Sequence, residues 1–459
     1  MTRKPKDKRA NWYNHFMSDE QSPSSHAPFI ALAVVLVLLV LALVCALVAA
    51  LIISALTPAA PPAASIDAKQ AALLNRLAVI ADNRIYTIKP DGSDRVDLAQ
   101  NGRVPTAAVI WSHDGQRLIF VESESAQTRV NTARLDGQDN RVLFEAERIR
   151  EPFYLYGSPD DQHVAFLAPG TTGAMQLHIA ATDHPNSAQA AVPGQPNYAS
   201  WSPDSQSLLV HIGGVSADAF VGTYDLNAAK TQKIETRPAA FQAPAWSPVS
   251  KTLWVYPRQP GSSGELVIGD ETSSRTLANF DGGIAFGWSP DGQHVAYALN
   301  TPDSFLYQDL TVIDLADSSS KVYLKGNVFA FFWSPDGKKL ACLTGTLVEP
   351  SPVGRTAGRA APAFQQRRRL ELTWHVIDLA GGPTVDLNSF EPTDSFIYLV
   401  QYFDQFAQSV ALWSPDSRSL VYAGQPLVGD RGVYVIDAQD AAARPRFVGP
   451  GDFAIWSWH

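Results

Sequence analysis

Five arginines, Arg355, Arg359, Arg367, Arg368 and Arg369, crowd one Pro/Gly/Ala-rich stretch, and a stretch dense in aromatic residues follows at Phe390, Phe396, Tyr398, Tyr402, Phe403 and Phe406. A guanidinium presents a planar fork of donors to a carboxylate or phosphate, and aromatic faces supply a stacking surface. Together they could hold an anionic partner or polymer. The candidate binding residues are therefore Arg355, Arg359, Arg367, Arg368, Arg369, Tyr398, Tyr402 and Phe403. A competing reading holds for each residue taken singly: the arginines form a solvated loop, and the aromatics pack a short helix onto the fold. For the segment as a whole, function is the reading preferred.

Other chemistry is harder to find. The sequence has no G-x-S-x-G elbow, no H-E-x-x-H, no phosphate-binding or dinucleotide fingerprint and no Cys/His group with zinc spacing. The expectation is a noncatalytic protein with no cofactor and no metal. His113, His163 and His294 sit beside turns of a repeat, where a structural role outweighs metal binding. The alternative is an enzyme, a lyase, hydrolase or cyclotransferase of carbohydrate or peptide, whose polar residues would surround a central channel.

The elements that must position these residues are announced by a repeat. WSHDGQRLIF begins at Trp111, GSPDDQHVAFL at Gly157, WSPDSQSLLV at Trp201, WSPVSKTLWV at Trp246, WSPDGQHVAYA at Trp288, WSPDGKKLACL at Trp333, WSPDSRSLVYA at Trp413 and a truncated WSWH at Trp456. The steps are 46, 44, 45, 42, 45, 80 and 43 residues. A second marker, an alternating strand, a turn and another strand, also occurs eight times, for example TVIDLADSSSKVYL at Thr311. Each period reads as four short antiparallel strands, the unit of a propeller blade.

The sequence thus predicts an all-β fold: an eight-bladed β-propeller, with seven blades as the alternative. The chain enters the repeat without a leading Trp marker and leaves it with a lone final strand, so the terminal strands should pair and close the ring.

Within the phrase, Ser, Pro, Asp and Gly are the preferred residues of a type I turn followed by a residue of positive φ. Asp204, Asp291, Asp336 and Asp416 are expected to be turn residues. Trp111, Trp201, Trp246, Trp288, Trp333, Trp413 and Trp456 are expected to wedge between neighbouring blades.

These phrases resemble the repeats of the TolB-like and prolyl-oligopeptidase-type propellers over roughly residues 77–459, with departures at Gly157, His113 and Val249-Ser250. The resemblance implies an extracytoplasmic binding or interaction protein.

The repeat fails between Trp333 and Trp413, where insertions near 344–370 and 386–408 enlarge two adjacent connections. In a four-stranded antiparallel blade the second-to-third loop and the crossover share a face, so both insertions should rise side by side from the face opposite the marker turns.

Ahead of the repeat, residues 1–28 form a basic tail, 29–56 an uninterrupted apolar run and 57–76 a Pro/Ala linker ending in a short helix over Ile66–Leu77. Twenty-eight residues without a charge exceed the roughly 20 that a membrane-crossing helix needs. Arg3, Lys4, Lys6, Lys8 and Arg9 precede the run, so the expectation is a single-pass helix with a cytoplasmic N-terminus and an extracytoplasmic repeat domain. A cleaved signal peptide is the competing reading. Partners expected are then the membrane and a protein or envelope polymer.

Five of the 36 basic and three of the 45 acidic residues lie before position 29, leaving 31 against 42 in the rest. That acidity argues against nucleic acid as a partner. The two cysteines, Cys45 in the apolar run and Cys342 in a strand, cannot make a disulfide within the repeat domain.

Overall fold

The structure is a computed structural model that describes residues 74–459 apart from 99–100, 106–107, 136–138, 196, 236, 240–242, 302–303, 305, 350–368 and 407–408. It is all-β, with antiparallel strands gathered into five four-stranded sheets and one of ten strands. Four of the five four-stranded sheets are meanders in chain order, and in the fifth the strand Phe453–Trp456 adds beside Leu77–Ala81. Among the described residues two short α-helices occur, α1 (Asp394–Gln401) and α2 (Phe403–Phe406). This is a propeller-type arrangement of repeated meanders.

The marker phrase folds as its residue types dictate. In each of five turns the Asp carboxylate accepts from the Ser hydroxyl two residues earlier: Asp114 at 2.6 Å, Asp204 at 2.6 Å, Asp291 at 2.5 Å, Asp336 at 2.6 Å and Asp416 at 2.6 Å. The next residue has positive φ, at Gly115, Ser205, Gly292, Gly337 and Ser417. These aspartates are spent on the turn.

Three of the marker tryptophans hydrogen-bond to the neighbouring repeat. The indole Nε1 of Trp288 donates to the carbonyl of Ala245 at 3.0 Å, that of Trp333 to Gly287 at 3.2 Å and that of Trp413 to Phe332 at 3.1 Å. Each bond reaches the innermost strand of the preceding repeat, so a buried donor is satisfied by the neighbour rather than by its own sheet. Trp111, Trp201, Trp246 and Trp456 are likewise buried.

Two expectations are corrected. The first and last strands do pair, Leu77–Ala81 with Phe453–Trp456 in the register Leu77↔Trp456 to Ile80↔Phe453. However, the sheets are not joined into the closed ring of eight blades expected: there are six sheets, and the last three repeats share one ladder. The cause is local. Gly326 and Asn327 both adopt positive φ, and this kink lets an outer strand run on into the next inner strand as the single 14-residue strand Ser320–Trp333. Beyond it, Phe390↔Pro426 and Pro392↔Gly424 bond the Trp333 repeat to the Trp413 repeat.

The second correction concerns the membrane-spanning helix. Among the described residues no helix is long and apolar enough to cross a membrane, the longer of the two having eight residues. Positions 29–56 lie outside the described residues, as do most of the linker and of the short helix expected over Ile66–Leu77; the last residue of that range, Leu77, opens a strand.

Candidate functional site

The second enlarged connection turns inward. Thr393 caps α1: its hydroxyl oxygen accepts from the Phe396 N–H at 3.1 Å and donates to the Asp452 carbonyl at 2.5 Å. That ties the helix start to the final strand pair. A Thr cap followed by Asp394 in the first turn suits the helix dipole. The apolar residues Phe396, Leu399 and Val400 then fall on one buried side.

Residues 396–406 pack aromatic side chains against several repeats. Phe396 lies against Trp374 and Phe390 at ring separations of 6.4 and 5.7 Å. Phe403 lies against Phe331 and Phe332 at 4.8 and 5.8 Å, and Phe406 against Tyr154 at 4.7 Å. Tyr154 belongs to the innermost strand Phe153–Gly157, Phe331 to the inner part of Ser320–Trp333. Repeats far apart in sequence therefore meet through α1 and α2, which plug the space between their inner strands.

Polar groups complete the plug. The Tyr156 hydroxyl donates to the Gln405 carbonyl at 2.6 Å, and the Tyr154 hydroxyl to the Gln405 side-chain oxygen at 3.3 Å. Burial raises both phenols well above their ordinary range, with the charges of nearby Tyr398 and, at Tyr156, of Asp404 acting in the same direction. Burial also raises Tyr398. These hydroxyls stay protonated and serve as hydrogen-bonding groups, not as bases.

The sequence-predicted binding residues are thus distributed unequally. Phe403 is buried, at 1% exposure, and offers no surface to a partner. Tyr398 and Tyr402 are half-buried within the plug, their rings 5.5 Å apart. Arg369 is exposed, pairs in register with Val348 and makes an ion pair with Glu391 at 3.2 Å. Arg355, Arg359, Arg367 and Arg368 lie outside the described residues.

The first enlarged connection stands on a raised hairpin. Strands Lys339–Val348 and Arg369–Asp378 pair over ten residues, longer than any strand pair of the five four-stranded sheets. Beside it, the second-to-third loop of the Trp413 repeat exposes Leu427 (78%) and Val428 (91%) on the same face. The sequence reading missed these two, because isolated apolar residues in a loop carry no pattern. It also missed Tyr154, Tyr156 and Gln405, whose roles appear only when distant repeats meet.

Elsewhere on that face the loops are held by charge. Glu122, buried among them, accepts from the backbone N–H of Asn101 at 2.6 Å and Gly102 at 2.7 Å and from the Asn131 amide at 3.0 Å. Arg129 bridges Glu124 at 2.6 Å and Glu145 at 2.5 Å. Among the described residues no group of three or more His, Cys, Asp or Glu has the geometry of a metal site. Cys342 is buried, and burial pushes its thiol far up, out of the thiolate range.

No protein-family model and no curated protein sequence matches the chain. Solved structures similar to it include TolB from Acinetobacter baumannii, 16% identical over 74% of this chain and 82% of that one, with a TM-score of 0.38. Oligogalacturonate lyase from Vibrio parahaemolyticus is 13% identical over 80% and 98%, with a TM-score of 0.45. The β-propeller domain of the trilobed protease from Pyrococcus furiosus is 14% identical over 66% and 85%, with a TM-score of 0.39.

Proposed function

We propose that this propeller module is a noncatalytic binding protein acting outside the cytoplasm, presenting the inserted face to a protein or envelope-polymer partner. The observation that carries the reading is the plug. Aromatic side chains of α1 and α2 occupy the space between the inner strands, leaving the outward loops of the same face for recognition. A raised hairpin ending at Arg369, with Leu427 and Val428 exposed beside it, offers both a charged and an apolar contact. The basic tail and apolar run of the sequence support an extracytoplasmic setting.

The test replaces residues 350–368 by a two-residue Asn-Gly turn. The expected result is an unchanged melting temperature with loss of partner capture from envelope extracts. Undiminished capture, or turnover of carbohydrate or peptide substrates that survives the replacement, would overturn the reading.

A further inference from the structure

The repeat is irregular a second time, at Trp246. In the other marker turns the first residue pairs with the residue seven positions on, as in Trp201↔Leu208, Trp288↔Val295 and Trp333↔Leu340, whereas Trp246 pairs with Trp254, eight positions on. One residue has been added, and Val249 and Ser250 stand where other repeats place the turn Asp and its successor.

The tryptophan here bonds within its own turn. Trp246 Nε1 donates to the carbonyl of Ser250 in its own turn at 3.1 Å, instead of reaching the preceding repeat as Trp288, Trp333 and Trp413 do. A groove of about 540 Å³ lies between the Trp201 and Trp246 repeats, on the face opposite the insertions. Across it, Lys251 meets Asp204 at 2.9 Å.

One wall is a sheet face carrying polar residues. Ser207, Asp225 and Lys230 form one row in register across three strands, and Thr223 and Gln232 belong to the next row on the same face. Facing them are Lys251, Thr252 and Glu271 of the Trp246 repeat. Trp246 and Trp254, in edge-on contact at 5.3 Å, line the remaining side and belong to a buried cluster with Leu209 and Val267.

This composition selects a ligand class. Asp225 and Glu271 oppose an anion, and Lys230 with Lys251 opposes a cation. An apolar ligand would strip water from hydroxyls and amides without replacing it. A peptide adding as a strand needs a free ladder edge, and this wall is a sheet face with its strands paired on both sides at Thr223. We propose that the groove between the Trp201 and Trp246 repeats binds a neutral saccharide, with Thr223 and Gln232 hydrogen-bonding its hydroxyls. Its volume falls within the usual range for small-ligand sites, roughly 300–1,000 Å³.

Maltotriose, cellotriose and triacetylchitotriose are titrated in turn into the full chain, followed by tryptophan emission and saturation-transfer NMR. At least one is expected to give a saturable response that weakens at least tenfold in the Thr223→Val/Gln232→Ala double variant while the melting curve is unchanged. Should that variant unfold, Gln232→Ala alone, at an exposed position, supplies the same comparison. The proposal is overturned by the absence of any saturable response up to about 10 mM, or by a response indifferent to these substitutions. It is also overturned if trigalacturonate or a tripeptide binds in place of the neutral sugars with the same dependence.

Discussion

The Tyr156 hydroxyl hydrogen-bonds to the backbone carbonyl of Gln405 at 2.6 Å across 249 positions of sequence. It fastens α2 to an inner strand belonging to a different repeat, so the insertion is a structural member of the propeller and not only an appendage. The phenol is buried on all sides and held in its neutral form, which keeps the donor available. What remains for recognition is the outer surface of the same connection and of its neighbours.

Removing this donor should be felt globally. Tyr156→Phe leaves the Gln405 carbonyl without that partner in the interior and is expected to cost about 1–3 kcal/mol. Phe403→Ala, which empties the space against Phe331 and Phe332, should cost about 3–5 kcal/mol. Urea denaturation of both variants measures this; near-wild-type midpoints would mean that the plug is not packed as described.

The turns make a finer prediction. Ser417 sits at φ +58 where three other turns have Gly, and its hydroxyl oxygen accepts from the Asp336 N–H of the preceding repeat at 3.1 Å. Ser417→Ala keeps the strained φ and loses the bond, costing about 1–2 kcal/mol. Ser417→Gly loses the same bond and relieves the strain, so it should fall within about 0.5 kcal/mol of the parent. Equal losses in the two variants would show that the positive φ costs nothing at this position, and no loss in Ser417→Ala would show that the hydroxyl contributes nothing between repeats.

Much of this fold was legible because its determinants are local. Asp291 and Gly292 define their turn within five residues, and the structure gives them the hydrogen bond and positive φ that their types demand. The merging of three repeats into one sheet was not legible, since it depends on the backbone of Gly326 and Asn327, where a Gly-Asn pair reads equally well as an ordinary turn. The aromatic run 390–406 was visible as a departure from the repeat. Whether its rings point outward or inward depends on Tyr154, Phe331 and Phe332, which the sequence does not place beside it. The Trp246 turn was noted for its missing Asp and Gly, but its extra residue shows only in the strand register.

The exposed apolar pair offers a clean separation of stability from recognition. Leu427 and Val428 bury little surface, so the double variant Leu427→Ser/Val428→Ser should change stability by no more than about 0.5 kcal/mol. Under the binding reading it should weaken partner capture from envelope extracts at least tenfold. Capture at the parental level would move the contact away from this loop.

A buried histidine sets the expected pH response. His178 is 5% exposed, with its ring stacked on Phe166 at 5.4 Å and tilted against Phe144 at 5.2 Å. Burial, aided by the charge of Arg150 and opposed by a backbone hydrogen bond with Ala168, lowers its pKa from 6.5 to about 4. The folded protein therefore refuses a proton that the unfolded chain accepts as pH falls through 6.5, so stability declines between 6.5 and about 4 and this contribution levels off below. The full effect is on the order of 3 kcal/mol. His163, also lowered chiefly by burial, adds to the decline in the same direction. His178→Phe, which keeps the aromatic packing, should flatten most of the fall in denaturation midpoint between about pH 7 and about pH 4.5. An unchanged slope would mean that folding does not lower the His178 pKa.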